Sequence, residues 1–387
     1  MRGSIVQKPK RTGRWYVLLE LEPDDTGRRR QKWHSGFATR AEAEKGLTAL
    51  LAARDAGTYV PPQRLTVRMY LLDHWLPAIE STVRPSTMNG YRQHVEHYLV
   101  PRIGRHRLQG LMPDEITKVY RTLEVSGGRG GRPLSGTTVR RIHATLHRAL
   151  SDAVGWGYLL RNPASVAMKP KQRRPGSYDR TAWTAEELSW FLQSVRSDRL
   201  FALWQLAAMT GMRRGELLGL RWQDVQVAQR RLSVRQTLIS YGYQLSFGEP
   251  KTARGRRNLA LDAVTAAALG EWRRAQLAER IMIGPGWPDT DLVFTREDGS
   301  PIHPDTLSFW FNRHVRLAGL RRIRLHDLRH TYASLAMQAG VPAKIVSERL
   351  GHATVAFTLD VYSHTIPSMD EAAAEQVAAL LKLAGHL

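Results

Sequence analysis

Over the last sixth of the chain, side chains suited to phosphate chemistry follow one another at short spacing. His326 and Arg329 lie in Leu325-His326-Asp327-Leu328-Arg329-His330, His352 in Leu350-Gly351-His352, and Tyr362 in Leu359-Asp360-Val361-Tyr362. Arginine presents a fork of donors that matches phosphate oxygens, and histidine binds phosphate or moves protons. A tyrosine hydroxyl can act as a nucleophile and form a covalent intermediate. Each residue taken singly has an ordinary explanation as a surface charge, a satisfied imidazole or a core ring. His326 and His330 stand four apart, as in a zinc pair on a helix. The residues between them are Asp-Leu-Arg, without the glutamate of the metalloprotease pattern, and Arg329 repels a cation, so no metal is expected.

Helix punctuation places these residues. Gly319, Gly340 and Gly351 each follow a stretch of helical periodicity, and Pro342 suits a first turn, which predicts helices over 305–318, 327–338, 342–350 and 355–361. His326 then stands at a helix N-terminus, His352 just past a helix, and Tyr362 at the end of another. Upstream, Thr184 and Glu187 form a capping box that opens a helix containing Leu188 and Phe191, an apolar helix over 200–209 stops at Gly211, and a new one begins around Arg213. On it Arg213 and Glu216 stand three apart and share a face, where the carboxylate can hold the guanidinium. Strand-like alternation is read over 231–238, 241–245 and 257–261, and the loop between the last two carries Lys251 at its entrance. A further helix is predicted over 262–280.

Something must bring a phosphate to this set. The chain has 387 residues and a net charge of +22, of which +6 falls in 1–64, +11 in 65–178 and +5 in 179–387. A chain of this length folds as several domains, and so basic a balance implies a polyanionic partner, most simply nucleic acid. There is no cysteine, which excludes disulfides, thiol nucleophiles and thiolate metal sites. No apolar run approaches a membrane span and no signal-peptide core is present, so a cytoplasmic protein with no membrane partner is expected.

Residues 1–62 read as three short strands over 4–8, 14–21 and 28–35, followed by a helix. Thr39 with Glu42 three residues on forms a capping box, and Ala41, Leu47, Leu50 and Leu51 give an apolar stripe. Arg28, Arg29, Arg30 and Lys32 cluster beside Trp33 on the third strand, an arrangement that can enter a major groove or serve only as a solvated basic edge. Residues 65–167 hold helices over 66–79, 86–100, 113–124 and 137–154, a small basic bundle suited to gripping DNA. Its glycine-rich loop over 127–132 is not a nucleotide-binding loop, since no Gly-Lys-Ser/Thr follows. Residues 168–180, with two prolines and five basic residues, are a linker that can lie along a phosphate backbone, and 181–387 form the third domain. The expected fold class is multidomain and mainly α with small β-sheets.

Thr210-Gly211-Met212-Arg213-Arg214-Gly215-Glu216-Leu217, Pro250-Lys251-Thr252, His326-Asp327-Leu328-Arg329-His330-Thr331, Leu350-Gly351-His352 and Tyr362, in that order, resemble the tyrosine recombinases, and most closely the integrases of phages and integrative elements. The resemblance spans essentially the whole chain. It implies an N-terminal arm-type DNA-binding domain, a helical core-binding domain and a mixed α+β catalytic domain. It also implies that Tyr362 attacks a scissile phosphate, leaving a 3′-phosphotyrosyl link and a free 5′-hydroxyl, with strand exchange through a Holliday junction. Arg213, Arg329 and His352 then hold the phosphate, Lys251 protonates the leaving oxygen, His326 assists phosphate binding and proton transfer, and Glu216 supports the site. Bond energy stays in the covalent link, so no cofactor is expected. The implied partners are double-stranded DNA with core-type and arm-type sites, a homotetramer on that DNA, and accessory DNA-bending or directionality proteins in a bacterial host. The tail from Met369 to Leu387 reads as an apolar-rich helix that packs on its own domain or on a neighbour. Rival readings are a type IB topoisomerase-like enzyme and a non-catalytic DNA-binding regulator on the same scaffold.

Overall fold

Strand-forming residues open the chain, and alternation decides which face they bury. The computed structural model describes residues 3–7, 14–21, 28, 30–57, 59–170, 182–241, 244–250, 253–352, 354–362 and 378–379. The chain divides into two compact units, Met1–Arg173 and Arg174–Leu387. Much of the expected linker and nearly all of the expected C-terminal helix lie outside the described residues.

In the first unit, β1 (Gly3–Gln7), β2 (Trp15–Leu21) and β3 (Arg30–Phe37) pair antiparallel in that order. Val17 and Leu19 are fully buried, whereas Tyr16 meets Trp33 edge to face, with ring centroids 6.2 Å apart. This is the period-two alternation of a sheet covered on one side. The covering element is the helix Arg40–Asp55, which starts at the expected capping box of Thr39 and Glu42 and buries Ala43.

The rest of the unit is helical: residues 67–79, 85–103, Pro113–Ser126 and Gly136–Gly155. Two of these runs contain a π turn, Tyr70–Trp75 and His94–Leu99. Leu71, Trp75, Leu99, Ile116, Ile142 and Leu146 close a common core. The polar atoms of the buried rings are satisfied: the Tyr70 hydroxyl donates to the Ala149 carbonyl at 2.7 Å, and the Trp75 indole to Asp152 at 2.7 Å. With its apolar stripe turned inward, the bundle keeps basic side chains such as Arg105, Arg121, Arg132 and Arg141 exposed.

The second unit is built around a ring cluster of Trp183, Phe191, Trp204 and Phe311, with neighbouring centroids 5.2–6.3 Å apart. Its helices are Ala185–Ser194, Phe201–Thr210, Arg214–Leu218, Ala263–Ile283, Pro304–Leu317, Asp327–Gln338, Ala343–Leu350 and Val355–Tyr362. Thr184 and Glu187 again form the expected capping box.

The strands are divided differently from the alternation pattern. The expected strand over 231–238 is two elements in different sheets, β5 (Arg231–Val234) and the start of β6 (Thr237–Tyr241). The expected strand over 241–245 belongs instead to two paired strands, since Tyr241 ends β6 and pairs with Gln244, the first residue of β7 (Gln244–Gly248). Apolar alternation continues from one strand into its antiparallel partner, so periodicity alone merges what the pairing separates. With β4 (Val225–Gln226) and β8 (Arg257–Ala260), β5 forms a three-stranded sheet in the order β4-β5-β8, while β6 and β7 form a hairpin of their own. Among the described residues, no helix is long and apolar enough to cross a membrane.

Candidate active site

Gly211 ends the helix Phe201–Thr210 in the left-handed conformation, with φ 61°. A Cβ there would stand 2.6 Å from a Leu350 methyl and 3.0 Å from the Tyr332 ring, so only glycine lets the turn pass this close. The chain emerges at Arg213, the N-cap of the short helix Arg214–Leu218. Glu216, on that helix, reaches back: its carboxylate accepts from the Arg213 backbone N–H at 3.0 Å and from Arg213 Nη1 at 2.7 Å. The expected pairing of Arg213 with Glu216 is therefore formed.

A second cation occupies the other side of the same carboxylate. Arg257, at the start of β8, donates from Nη1 to Glu216 Oε1 at 3.1 Å and from Nη2 to Oε2 at 2.8 Å. Burial pushes the Glu216 carboxyl up, but the hydrogen bonds and charge of Arg257, followed by Arg213, hold it below its ordinary value. Its side chain is only 3% exposed, yet it stays ionised.

Three guanidinium groups converge on the turn that carries His352. The helix Ala343–Leu350 ends at Gly351 in the left-handed conformation, with φ 65° and ψ 47°. Its last carbonyls have no partner within the helix and carry the negative end of the helix dipole. Arg257 Nε donates to the Arg349 carbonyl at 2.5 Å, Arg329 Nη2 to that of Leu350 at 2.5 Å, and Arg213 Nη2 to that of Gly351 at 3.1 Å. Arg329, 4% exposed, also donates from Nη1 to the Gly211 carbonyl at 2.9 Å. It thereby ties the two glycine turns together.

His352 is 8% exposed, and its Nδ1 lies 2.8 Å from Thr358 Oγ1. Burial, followed by the charges of Arg329 and Arg213, depresses its pKa to about 3. The ring is neutral at ordinary pH and can donate only one hydrogen bond. His326 stands just ahead of the helix Asp327–Gln338, where it is held below its ordinary value by loss of hydration and then by Arg329. Its ring meets His330 edge to face at 5.6 Å, and burial followed by His326 lowers His330 to about 4. Asp327 turns away to Arg324, accepting from its backbone N–H at 2.8 Å and from Nη2 at 2.8 Å.

The structure thus brings Arg213, Glu216, Arg329 and the His352 turn into one hydrogen-bonded cluster, with His326 beside it. Lys251 lies outside the described residues, between β7 and β8. Tyr362 is the last residue of the helix Val355–Tyr362, and its side chain lies outside what is described. Sequence reasoning missed Arg257, which there is only the first residue of a strand. With Arg213 and Arg257 on the Glu216 carboxylate and Arg329 on two main-chain carbonyls, the cluster holds three guanidinium groups against one carboxylate, and the surplus of positive charge suits it to an anion. Among the described residues, no three His, Asp or Glu side chains gather as metal ligands do.

Three family models match the chain: an arm DNA-binding domain over 5–52, a SAM-like N-terminal domain of phage integrases over 69–123, and the phage integrase family over 183–368. A tyrosine recombinase XerC-like protein of Caldanaerobacter subterraneus subsp. tengcongensis is 27% identical over 378 residues, covering 93% of this chain and 94% of that protein. The integrase of Mycobacterium phage L5 is 26% identical over 357 residues, covering 89% and 90%. Among solved structures, the Tn1549 transposon integrase in complex with transposon right end DNA superposes with a TM-score of 0.64 at 20% identity, covering 81% of this chain and 99% of that one. A lambda integrase tetramer bound to a Holliday junction gives a TM-score of 0.56 at 18% identity, covering 90% and 95%. The three matches follow the order of sheet, bundle and arginine cluster along the sequence, and the chain belongs to the phage integrase family of tyrosine recombinases.

Proposed function

We propose that this chain carries out site-specific recombination by transesterification at the cluster of Arg213, Arg329 and His352. The Tyr362 hydroxyl attacks the scissile phosphorus, and the bond to the 5′-oxygen breaks. A 3′-phosphotyrosyl link and a free 5′-hydroxyl result. The 5′-hydroxyl of a partner strand then attacks the link and releases Tyr362, and repetition on the second pair of strands passes through a Holliday junction. One phosphodiester is exchanged for another at each step, so no nucleotide is consumed.

The convergence of Arg213 and Arg329 on the turn that carries His352 supports this reading most directly. Guanidinium groups fixed before substrate arrives stabilise the charge that develops on the non-bridging oxygens without reorganising. A neutral His352 adds a hydrogen bond to the same phosphate. Lys251 supplies the proton to the leaving 5′-oxygen, His326 assists at the phosphate and the tyrosine, and Glu216 holds Arg213 in place.

The remaining assignments concern the DNA and its geometry. Residues 1–62 take arm-type DNA, 65–167 the core-type duplex, 168–180 the backbone between, and 181–387 the chemistry. Four copies act on two duplexes, with accessory DNA-bending or directionality proteins, at the nucleoid of a bacterial host whose phage or mobile element is integrated or excised. The lambda integrase assembly on a Holliday junction supports the tetramer.

A nicked suicide duplex carrying the attachment site tests the reading. The wild-type protein is expected to form a covalent adduct on it, and Tyr362→Phe to bind with similar affinity and form none. A wild type that binds without trapping refutes the enzymatic reading. Joined products from two duplexes distinguish recombination from topoisomerase-like relaxation.

A further inference from the structure

Arg257 is the cation of the cluster that the proposed mechanism does not use, and its geometry gives it a different task from Arg213. Its side chain is 7% exposed, against 41% for Arg213. A guanidinium has five N–H groups. Arg257 directs Nε to the Arg349 carbonyl, Nη1 to Glu216 and to the Gly255 carbonyl at 3.2 Å, and Nη2 to Glu216. Four of the five donors are therefore committed inside the protein. Arg213 directs only two side-chain donors inward among the described residues, to Glu216 and to the Gly351 carbonyl.

These bonds join three pieces of chain that are remote in sequence. The first is the Glu216 carboxylate, which holds Arg213. The second is the helix end that leads into His352. The third is the end of the loop that carries Lys251, whose backbone runs close under the turn: a Cβ at Gly351 would lie 2.9 Å from the Arg254 carbonyl oxygen. We propose that Arg257 is a positioning residue for strand cleavage, locking Glu216, the loop and the Arg349–Gly351 turn together so that Arg213 and His352 meet the phosphate as one unit. This rests on the transesterification reading above. Arg257 touches no DNA. It acts through Arg213 and His352, and a lysine in its place carries the charge but lacks the fork that engages both carboxylate oxygens.

The test compares the rate of covalent trapping on the suicide duplex, under single-turnover conditions, with the affinity for the same duplex. Three full-length variants are used: Arg257→Lys, Arg257→Met, and Arg257→Met combined with Glu216→Met. Removing one partner of a buried ion pair can unfold a protein, whereas replacing both with apolar residues of similar volume is tolerated, so the double variant keeps the test open if Arg257→Met fails to fold. Duplex affinity is expected to stay within about twofold of wild type. The trapping rate constant is expected to fall about 100-fold in Arg257→Met, the loss that a displacement of about 1 Å in a reacting group brings, less in Arg257→Lys, and at least as far in the double variant, which also frees Arg213 from Glu216. Adding Arg213→Lys is expected to give less than the product of the separate losses, because the two residues act through one geometry.

A folded double variant that traps at the wild-type rate overturns the proposal and leaves Arg257 a stabilising residue only. Loss confined to affinity overturns it by making Arg257 a DNA contact. A wild type that binds but does not trap sinks the cleavage reading and this proposal with it, an outcome distinct from a trapping wild type with trapping variants.

Discussion

At the scale of single residues, the cluster concentrates cations around one carboxylate and two glycine turns. The depressed pKa of His352 makes this arrangement sensitive to acid. In the unfolded chain the imidazole titrates near its ordinary 6.5, and in the folded chain at about 3. Between these values the unfolded state binds the extra proton. The contribution of His352 is complete above pH 6.5 and is lost as the pH falls toward 3, by at most about 1.4 kcal/mol per pH unit. The urea midpoint of the protein is therefore expected to fall between pH 7.5 and pH 5, and His352→Asn to flatten that dependence. An unchanged slope in the variant would assign the loss to other groups. Arg213, Glu216, Arg329 and His352 were legible in the sequence because they stand in short motifs. Arg257 was not, since a lone arginine opening a strand reads as a surface charge, and its partner Glu216 stands forty-one residues upstream.

Elements were legible where local signals punctuate them. Both capping boxes, at Thr39 and Thr184, start the expected helices, and Gly211 and Gly351 end theirs. The β5, β6 and β7 strands were misdivided because alternation does not register where one strand ends and the next begins, and which strands pair depends on contacts that no local pattern encodes. Gly351 is the element-scale position with the clearest consequence. Alanine there faces the left-handed penalty and a Cβ 2.9 Å from the Arg254 carbonyl. Gly351→Ala is expected to lower stability by about 1–2 kcal/mol in urea unfolding. It also displaces the Arg213–Gly351 bond, so the trapping rate should fall by more than the folded fraction accounts for. Wild-type trapping in a destabilised but folded Gly351→Ala protein would dissociate the turn from cleavage.

For the whole molecule, charge is the dominant property. The net +22 belongs to both units, and the bundle of the first unit keeps arginines such as Arg105 and Arg141 exposed. Binding to a core duplex through six or more phosphates is expected to weaken by about 1000-fold or more between 50 and 200 mM salt, measured as the slope of log affinity against log salt. A flat dependence would contradict a backbone-gripping bundle. The N-terminal sheet and the helical bundle were legible from periodicity. The grouping of sheet and bundle in one compact unit was not, because it depends on packing between elements rather than on any local pattern.

The convergence of three guanidinium groups on successive carbonyls has a consequence for evolutionary drift. Arg213, Arg257 and Arg329 are each aimed in part by main-chain oxygens, of Gly351, Arg349 and Leu350. A carbonyl oxygen is present whatever side chain the residue carries. Substitutions at positions 349 and 350 can change side chains while leaving the acceptors in place, provided the helix still ends at the same turn. Selection on the aim of these arginines then falls on helix length and on the glycine that closes it, and only weakly on the surrounding side chains.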